Sequence, residues 1–225
     1  ALILGGGLSL LIENDPRDRG AAPDGDAPAQ QPGVLGSDGV AVADAIRSRR
    51  FLALYASCLI CSFGVFVPFV HLVPYARDHG VGAETAVLVL GMIGVGSTAG
   101  RFCLGGIADR LGRERALLAV LVGMTLATAI WAIATDAWSL AVFAFVYGVF
   151  YGGWVAVLPS VVMDSFGGRN VSGIIGVLYT SVAFGTLIGP TATGFAYDAS
   201  HSYTLAILLS AAASLIAAAI AGAAV

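Results

Sequence analysis

The chain has 225 residues, of which 58% are hydrophobic and only 11% are charged, and its mean hydropathy is +0.88. Soluble domains carry about 25% charged residues, so this composition excludes a water-facing globule and predicts a protein embedded in a lipid bilayer. The net charge is −3, and the 11 basic residues, all arginines, offer no basic surface, which excludes a nucleic-acid partner.

Three cysteines, Cys58, Cys61 and Cys103, lie inside apolar runs. A zinc site would lack its other ligands there, so we interpret them as small core residues and predict neither a metal nor a cofactor. No stretch combines a nucleophile, a base and an anion-stabilising group. The sequence therefore predicts no catalytic residues and no enzyme.

The first 48 residues divide into two segments of opposite character. Residues 1–12 form an apolar stub that is too short to cross a bilayer and lacks the basic flank of a signal peptide. We expect it to be the end of a preceding transmembrane helix. Residues 13–48 are rich in proline, glycine and aspartate, and they cannot bury enough apolar surface to offset the entropy of ordering. We expect a flexible cytoplasmic linker there.

The rest of the chain, residues 49–225, is a series of apolar runs. A hydrocarbon core about 30 Å thick takes roughly 20 apolar residues as a helix. Six such runs occur, at residues 51–75, 85–108, 116–134, 137–163, 171–197 and 203–225. Within them the only formal charge is Arg101 and the only histidine is His71. The sequence predicts an all-α membrane protein with six transmembrane helices.

Arginine is distributed unequally between alternate loops. Nine arginines fall on one side of the membrane and Arg77 falls on the other, and basic residues favour the cytoplasmic side. This bias places the linker in the cytoplasm of a multi-pass cell-membrane protein, and the absence of other targeting signals favours the bacterial inner membrane. The outer loops are short, so we expect ligand recognition within or between helices.

His71 lies toward the outer end of the first run, between Pro68 and Pro74. Imidazole titrates near neutral pH, so His71 is a candidate for proton uptake. An interfacial histidine bonded to a carbonyl group freed by a proline is the alternative interpretation.

Arg101, in the second run, lies eight residues before Asp109, which is roughly 12 Å into the membrane at 1.5 Å per residue. An unpaired arginine near the bilayer centre costs at least about 2.5–3.5 kcal/mol, and such residues usually face a cavity or a partner. The planar guanidinium fits a carboxylate in two hydrogen bonds, so Arg101 predicts an anion site. Pairing with a buried acid or with carbonyl groups is the alternative. Ser97, one turn earlier, either lines the same cavity or bonds to its own helix.

A charged, glycine-rich loop follows the second run. Gly105 and Gly106 predict the close approach of another helix. Asp109 opposes its own helix dipole and needs a positive partner, so the loop suggests a latch. The pattern G-x-x-x-D-R-x-G-R resembles the signature loop of the major facilitator superfamily; its residues are Gly105, Asp109, Arg110, Gly112 and Arg113.

This resemblance implies a twelve-helix transporter whose two halves rock around a central site, each half being a 3+3 inverted repeat. Residues 49–225 then correspond to the C-terminal half, the stub to the end of the sixth helix, and the loop to a gating motif. The implied partner is the missing N-terminal half of the same transporter.

A narrower resemblance lies in the first two runs. The stretch F-G-V-F-V-P-F-V-H-L-V-P-Y-A-R-D-H-G at residues 63–80 and the G-R-F-C-L-G-G around Arg101 are similar to the monocarboxylate transporter family. This resemblance implies that Arg101 binds the substrate carboxylate. Ser97 departs from the pattern, since mammalian members often have an aspartate there. The fifth run is similar to the family's G-P-x-x-x-G pattern ending in an acid, at Gly189, Pro190, Gly194 and Asp198.

Tyr147 and Tyr151 lie four residues apart in the fourth run and share a helix face, with Trp154 on roughly the same stripe. The family resemblance implies that an aromatic hydroxyl of this helix contacts the substrate, and both tyrosines fit. A packing stripe whose hydroxyls bond to neighbouring groups is the alternative.

These features predict a secondary active transporter that carries a small monocarboxylate, such as lactate or pyruvate, in symport with protons. A dicarboxylate exchanger is disfavoured, because the fifth run offers no second cation but only Tyr179, Thr180, Ser181 and Thr186. A facilitator of another substrate class, a drug or a sugar, stays open because its signature loop would look the same. A membrane receptor that uses the fold only to bind a partner is a remoter alternative.

Overall fold

A computed structural model describes residues 39–223, most of which are helical. The helices are α1 (Val42–Ala45), α2 (Arg49–Val65), α3 (Val67–Asp78), α4 (Ala83–Leu111), α5 (Arg113–Trp131), α6 (Ala137–Phe166), α7 (Val171–Ser200) and α8 (Thr204–Ala223). With α2 and α3 taken as one span, six segments are long and apolar enough to cross a membrane. The predicted all-α fold with six spans is confirmed for this range. The expected stub and most of the expected linker lie outside it.

The first span is interrupted at Phe66, where the sequence predicted a continuous run. Phe66 ends α2 with φ −97° and ψ −3°, and Pro68 takes the second position of α3. Proline has no N–H to donate to the preceding turn, and the nearby Gly64 lowers helix propensity. The break therefore falls inside an apolar stretch whose hydropathy does not change.

The end of the expected linker packs against the bundle. Val40 donates its N–H to the Phe166 carbonyl oxygen at 3.0 Å and accepts from Asn170 Nδ2 at 3.1 Å. Ala45, in the single turn of α1, is fully buried. Residues 39–48 therefore belong to the bundle rather than to a flexible linker, because their backbone groups find partners there.

Helices α4 and α6 meet along four glycines, Gly96, Gly100, Gly148 and Gly152, which we call the glycine seam. A methyl group added at the two α4 positions would collide with the backbone of α6, and one added at the two α6 positions would collide with the backbone of α4. Reciprocal small residues let two helices approach closely in a membrane, where packing rather than water exclusion drives association. The seam fixes α4 against α6.

Helix α7 repeats this arrangement on α2, where Gly185 and Gly189 press against the backbone of Ser62 and Phe63. Four residues of α7 lie 89 positions after counterparts in α4: Gly96 with Gly185, Gly100 with Gly189, Gly105 with Gly194, and Asp109 with Asp198. Two spans, α5 and α6, lie between α4 and α7, so the two helices cross the membrane in opposite directions. The bundle is thus built from two inverted sets of three spans, as the family resemblance implied.

The two ends of the bundle are named here by the predicted orientation. The inner end carries the α4–α5 and α6–α7 turns, and the outer end carries the α3–α4, α5–α6 and α7–α8 turns. Fully buried Trp131, Phe143 and Tyr147 contribute to the core between them. Helices α4 and α7 are the least buried of the six spans, so each presents a face that residues 39–223 leave uncovered.

Candidate functional site

Arg101 occupies an exposed position in α4, directly after Gly100 of the glycine seam. The ion pairs formed within residues 39–223 involve Arg50 and Arg113 and not Arg101. The alternative prediction, pairing with a buried acid, is therefore not seen in this part of the chain. A guanidinium carries five N–H donors in a planar fork, which suits a carboxylate.

Tyr151 of α6 lies near Arg101, because the residues beside them, Gly100 and Gly152, sit in the backbone contact between α4 and α6. The Tyr151 ring is half-buried and contacts Phe66 and Phe69 edge to face, with ring centroids 6.1 and 5.1 Å apart. One permanent cation, one hydroxyl and an aromatic wall are thus combined, and these are groups that a small organic anion requires.

Two of the four residues suggested for substrate contact face the interior instead. Tyr147 is 2% exposed, and its hydroxyl donates to the Val65 carbonyl oxygen at 2.7 Å. Ser97 is 8% exposed, because its backbone lies in the close contact between α4 and α6. The structure brings Arg101 and Tyr151 together on a partly accessible surface, whereas the hydroxyl of Tyr147 is already used by the protein.

A further tyrosine, not predicted as part of the site, lies on α7. Tyr179 is 39% exposed. The next residue, Thr180, has its Oγ1 3.1 Å from the hydroxyl of Tyr55 in α2. The signal in the sequence was a polar pair inside an apolar run, but one sequence does not identify the helix that such a pair faces.

His71 links α3 to α7 near the outer end. Its Nε2 lies 3.0 Å from the Pro190 carbonyl oxygen, and its ring tilts against Tyr203 with centroids 5.6 Å apart. A carbonyl oxygen only accepts, so Nε2 carries a hydrogen and Nδ1 is the nitrogen available to a second proton. The geometry is that of a histidine bonded to a proline carbonyl group across two helices.

The signature loop forms a charged cluster at the inner end. Arg113, the first residue of α5, contacts Asp164 in the last turn of α6 at 2.5 Å and Asp109 at 3.8 Å. Gly112 makes the turn between α4 and α5 with a φ of 90°. Asp109 does find the positive partner that its position demands, but the shorter contact of Arg113 is to Asp164, which was not predicted from the sequence.

The close helix contact expected at Gly105 and Gly106 is absent from residues 39–223. A methyl group at either glycine would meet no atom within 4 Å. At this level of α4 the residue that faces α6 is Leu104, which contacts Gly153. The two glycines and the exposed Arg110 lie on other sides of the helix, because successive residues are rotated by about 100°.

Two groups in the outer turns have shifted acidities. Burial raises the pKa of Tyr203 to about 12, with smaller contributions from Tyr197 and two nearby carboxylates. The Ser139 hydroxyl, with its backbone N–H, lowers the pKa of Asp136, since both hydrogen bonds favour the carboxylate. Asp136 and Ser139 form a reciprocal capping box that starts α6.

Comparison with known proteins gives a family match and several relatives. The family model described as Major Facilitator Superfamily matches residues 2–141 and 52–225. Monocarboxylate transporter 12-B of Danio rerio is 34% identical over 71% of this chain, and monocarboxylate transporter 11 of Homo sapiens is 28% identical over 83%. The aspyridones efflux protein of Emericella nidulans is 28% identical over 67%. The chain spans 34%, 41% and 31% of the lengths of these three relatives.

Among solved structures, the fucose:proton symporter of E. coli matches with a TM-score of 0.69 at 18% identity, covering 82% of this chain and 45% of the symporter. Identity at this level makes the likeness one of fold alone. The fold match agrees with the six-span arrangement, and the relatives are transporters, in agreement with the prediction that the chain is not an enzyme.

Proposed function

Because the chain belongs to the Major Facilitator Superfamily, we propose that it forms one six-helix half of a carrier that moves a small monocarboxylate, such as lactate or pyruvate, together with a proton. The observation that carries this proposal is the exposed Arg101 inside a membrane-spanning helix, at the level where α4 packs on the helix that carries Tyr151. Similarity to monocarboxylate transporters supports the same substrate class.

In this proposal Arg101 binds the substrate carboxylate through two parallel hydrogen bonds. The rings of Phe66 and Phe69 border Tyr151 and keep water away, which strengthens the charge interaction by lowering the local dielectric constant. Tyr151 supplies a hydroxyl to the ligand. Ser97 and Tyr147 support the site from within the bundle.

A proton travels with the anion so that the loaded carrier reorients without moving net charge. His71 is the proposed proton-linked residue, since its Nε2 is engaged by Pro190 and its Nδ1 can take up a second proton. The remaining groups of the cavity come from the N-terminal half of the transporter, which faces the uncovered surfaces of α4 and α7.

The signature loop is the proposed inner gate of this carrier, with Arg113 and Asp164 as its principal contact. Its residues are Gly105, Asp109, Arg110, Gly112 and Arg113. In the predicted orientation this end faces the cytoplasm of a bacterial inner membrane.

A carrier of larger organic molecules is the second candidate. The fungal relative is named for efflux of aspyridones. Tyr179 and the pair formed by Tyr55 and Thr180 add neutral hydrogen-bonding groups, which suit an uncharged ligand as well as an anion. This candidate differs in one respect that can be measured, because a neutral ligand does not need Arg101.

The test uses the complete reading frame that encodes this chain, reconstituted in proteoliposomes under an inward proton gradient, with labelled lactate and pyruvate. Arg101→Gln should reduce uptake by about ten- to a hundredfold, the loss expected for a hydrogen-bonded charge. Arg101→Lys should recover part of it, since it keeps the charge without the fork. Arg77→Gln is the matched control, because Arg77 is exposed at the outer end.

Two outcomes contradict the proposal. If the wild-type protein takes up none of the monocarboxylates tested, the proposed substrate class is wrong. If Arg101→Gln takes them up at the normal rate, the proposed role of Arg101 is wrong. Uptake that does not respond to the proton gradient contradicts the proposed proton coupling but not the anion site.

A further inference from the structure

The break between α2 and α3 is bonded to a side chain of α6. Val65 is the last residue of α2, and the last four carbonyl groups of a helix have no N–H partner within it. The hydroxyl of Tyr147 donates to the Val65 carbonyl oxygen at 2.7 Å. A buried phenol therefore satisfies a backbone group at the interruption.

Tyr151, one turn further along α6, contacts the other side of the same break. Its ring meets Phe66, the residue between the two helices, and Phe69 in the first turn of α3. Two tyrosines of α6 thus hold the break, Tyr147 on its α2 side and Tyr151 on its α3 side. Tyr151 also belongs to the proposed anion site with Arg101, across the contact of Gly100 and Gly152, so that site and the break share a side chain.

Helices α2 and α3 are held to the rest of the bundle in different ways. Helix α2 is fixed through close backbone contact, since a methyl group at Gly64 would lie 2.8 Å from the Cα atom of Ser210. Helix α3 is held by side-chain hydrogen bonds, from His71 Nε2 to Pro190 at 3.0 Å and from the Tyr75 hydroxyl to Ala134 at 3.0 Å. Side-chain hydrogen bonds can break and form again with other partners while the backbone contacts between helices stay packed.

We propose that Tyr147 is a positioning residue that sets the bend between α2 and α3, and that a ligand at Arg101 and Tyr151 moves α3 through this bend. The second clause rests on the proposed function, whereas the first is independent of any substrate. Tyr147 then controls how often the outer end opens and not how tightly the ligand binds. Its hydroxyl, already donated to Val65, makes no substrate contact.

The test measures α3 directly in the complete reading frame. Val73→Cys introduces a thiol on α3 in a background with Cys103→Ser. Cys58 and Cys61 are buried as predicted, but Cys103 is exposed and is not the core residue that the sequence predicted. A membrane-impermeant maleimide reports its accessibility, with no substrate present. Tyr147→Phe should raise the labelling rate by about two- to tenfold, the effect expected for losing one hydrogen bond. It should change lactate turnover by a similar factor and leave lactate affinity within about twofold.

Ser57→Ala is the matched control. The Ser57 hydroxyl also donates to a backbone carbonyl, that of Ala217 at 2.8 Å, but it lies two turns before the break. Its labelling rate should equal that of the parent. Pro68→Ala is a second variant, which restores an N–H at the break, lets the helix straighten, and should also alter labelling without altering affinity.

The inference is overturned if Tyr147→Phe labels at the rate of Ser57→Ala, or if it lowers lactate affinity about tenfold with unchanged labelling, because the hydroxyl would then be a substrate contact. If Tyr147→Phe does not fold, unchanged labelling in Pro68→Ala overturns it. Wild-type protein that moves no monocarboxylate removes the proposed function and the ligand-driven movement of α3, whereas the labelling comparison, which needs no substrate, still tests the role of Tyr147 at the bend.

Discussion

The inner end of the bundle combines ion pairs with one interhelical ring contact, Phe51 with Phe166, whereas the outer end is joined mainly by rings. At the inner end Arg113 pairs with Asp164, and Arg50 pairs with Glu114. At the outer end the contacts are between aromatic side chains and histidines, among them Tyr75 with His79, Tyr75 with Trp131, Trp131 with Phe143, and Tyr197 with Tyr203. Within residues 39–223, the interhelical ion pairs therefore lie at one end of the bundle.

The ion pairs of the inner end and the ring contacts of the outer end respond to different conditions. The inner ion pairs are partly exposed, and such pairs contribute about 0–1 kcal/mol and weaken as salt rises. The outer rings are mostly buried, so separating them costs apolar burial and ring contacts that salt does not screen. The ion pairs of the inner end are therefore weak and sensitive to salt, whereas the ring contacts of the outer end separate only if side chains repack or α3 moves as a unit.

The largest expected effect is at the outer end, with Trp131→Ala. Trp131 is fully buried and stacks on Phe143 with centroids 5.2 Å apart. Its loss should lower the free energy of unfolding by about 3–5 kcal/mol, measured by denaturant unfolding in detergent micelles. Trp138→Ala is the control, because Trp138 is 78% exposed and should change the same quantity little. Equal effects of the two variants would remove the claim that buried rings secure this end.

A smaller effect is expected at the inner end. Arg113→Gln should reduce the free energy of unfolding by about 1 kcal/mol or less, and the difference should vanish at high salt. Arg113 begins α5 and Asp164 ends α6, so each charge opposes its own helix dipole.

The exchange Arg113→Asp with Asp164→Arg should therefore be at least as stable as the wild type, since both charges would then suit their helix ends. An exchanged variant that is less stable than Arg113→Gln would show that the pair acts through its geometry and not through its charges.

A third expected effect, confined to alkaline pH, concerns the outer end. The pKa of Tyr203 is about 12 in the folded protein against an ordinary value of 10. Below pH 10 the phenol is neutral in both states, so stability does not depend on it. Between pH 10 and 12 the unfolded chain ionises first, and the free energy of unfolding should fall as pH rises. Tyr203→Phe should make this fall shallower in unfolding measured across that range, and an unchanged slope would contradict it.

The six spans could be predicted because each apolar run is long enough on its own, and no knowledge of neighbouring helices is needed. The break at Phe66 could not, since Gly64 and Pro68 leave the hydropathy of the run unchanged and prolines also occur inside continuous helices here, as Pro159 does in α6. The inclusion of residues 39–48 in the bundle was missed because their composition is that of a linker while their partners lie in α6 and α7.

The candidate site was predictable in part for a related reason. Arg101 stands out in any membrane helix because of the cost of its charge. Tyr147 and Tyr151 share one helix face, and only the position of Val65 in another helix distinguishes the bonded tyrosine from the accessible one. Gly105 and Gly96 look alike in the sequence, yet only Gly96 faces α6, since the rotation of α4 about its axis is decided by its packing partner.

The glycine seam fixes the distance between the two helices that carry the candidate site. Because the backbones of α4 and α6 interlock at Gly96, Gly100, Gly148 and Gly152, the Cα atoms of Arg101 and Tyr151 cannot slide or separate without breaking the contact. In the proposed carrier, a ligand that bridges these two residues must fit a constant distance between their Cα atoms. A change of ligand length therefore has to be accommodated by different side chains at the site, because the seam prevents a change in the distance between the helices.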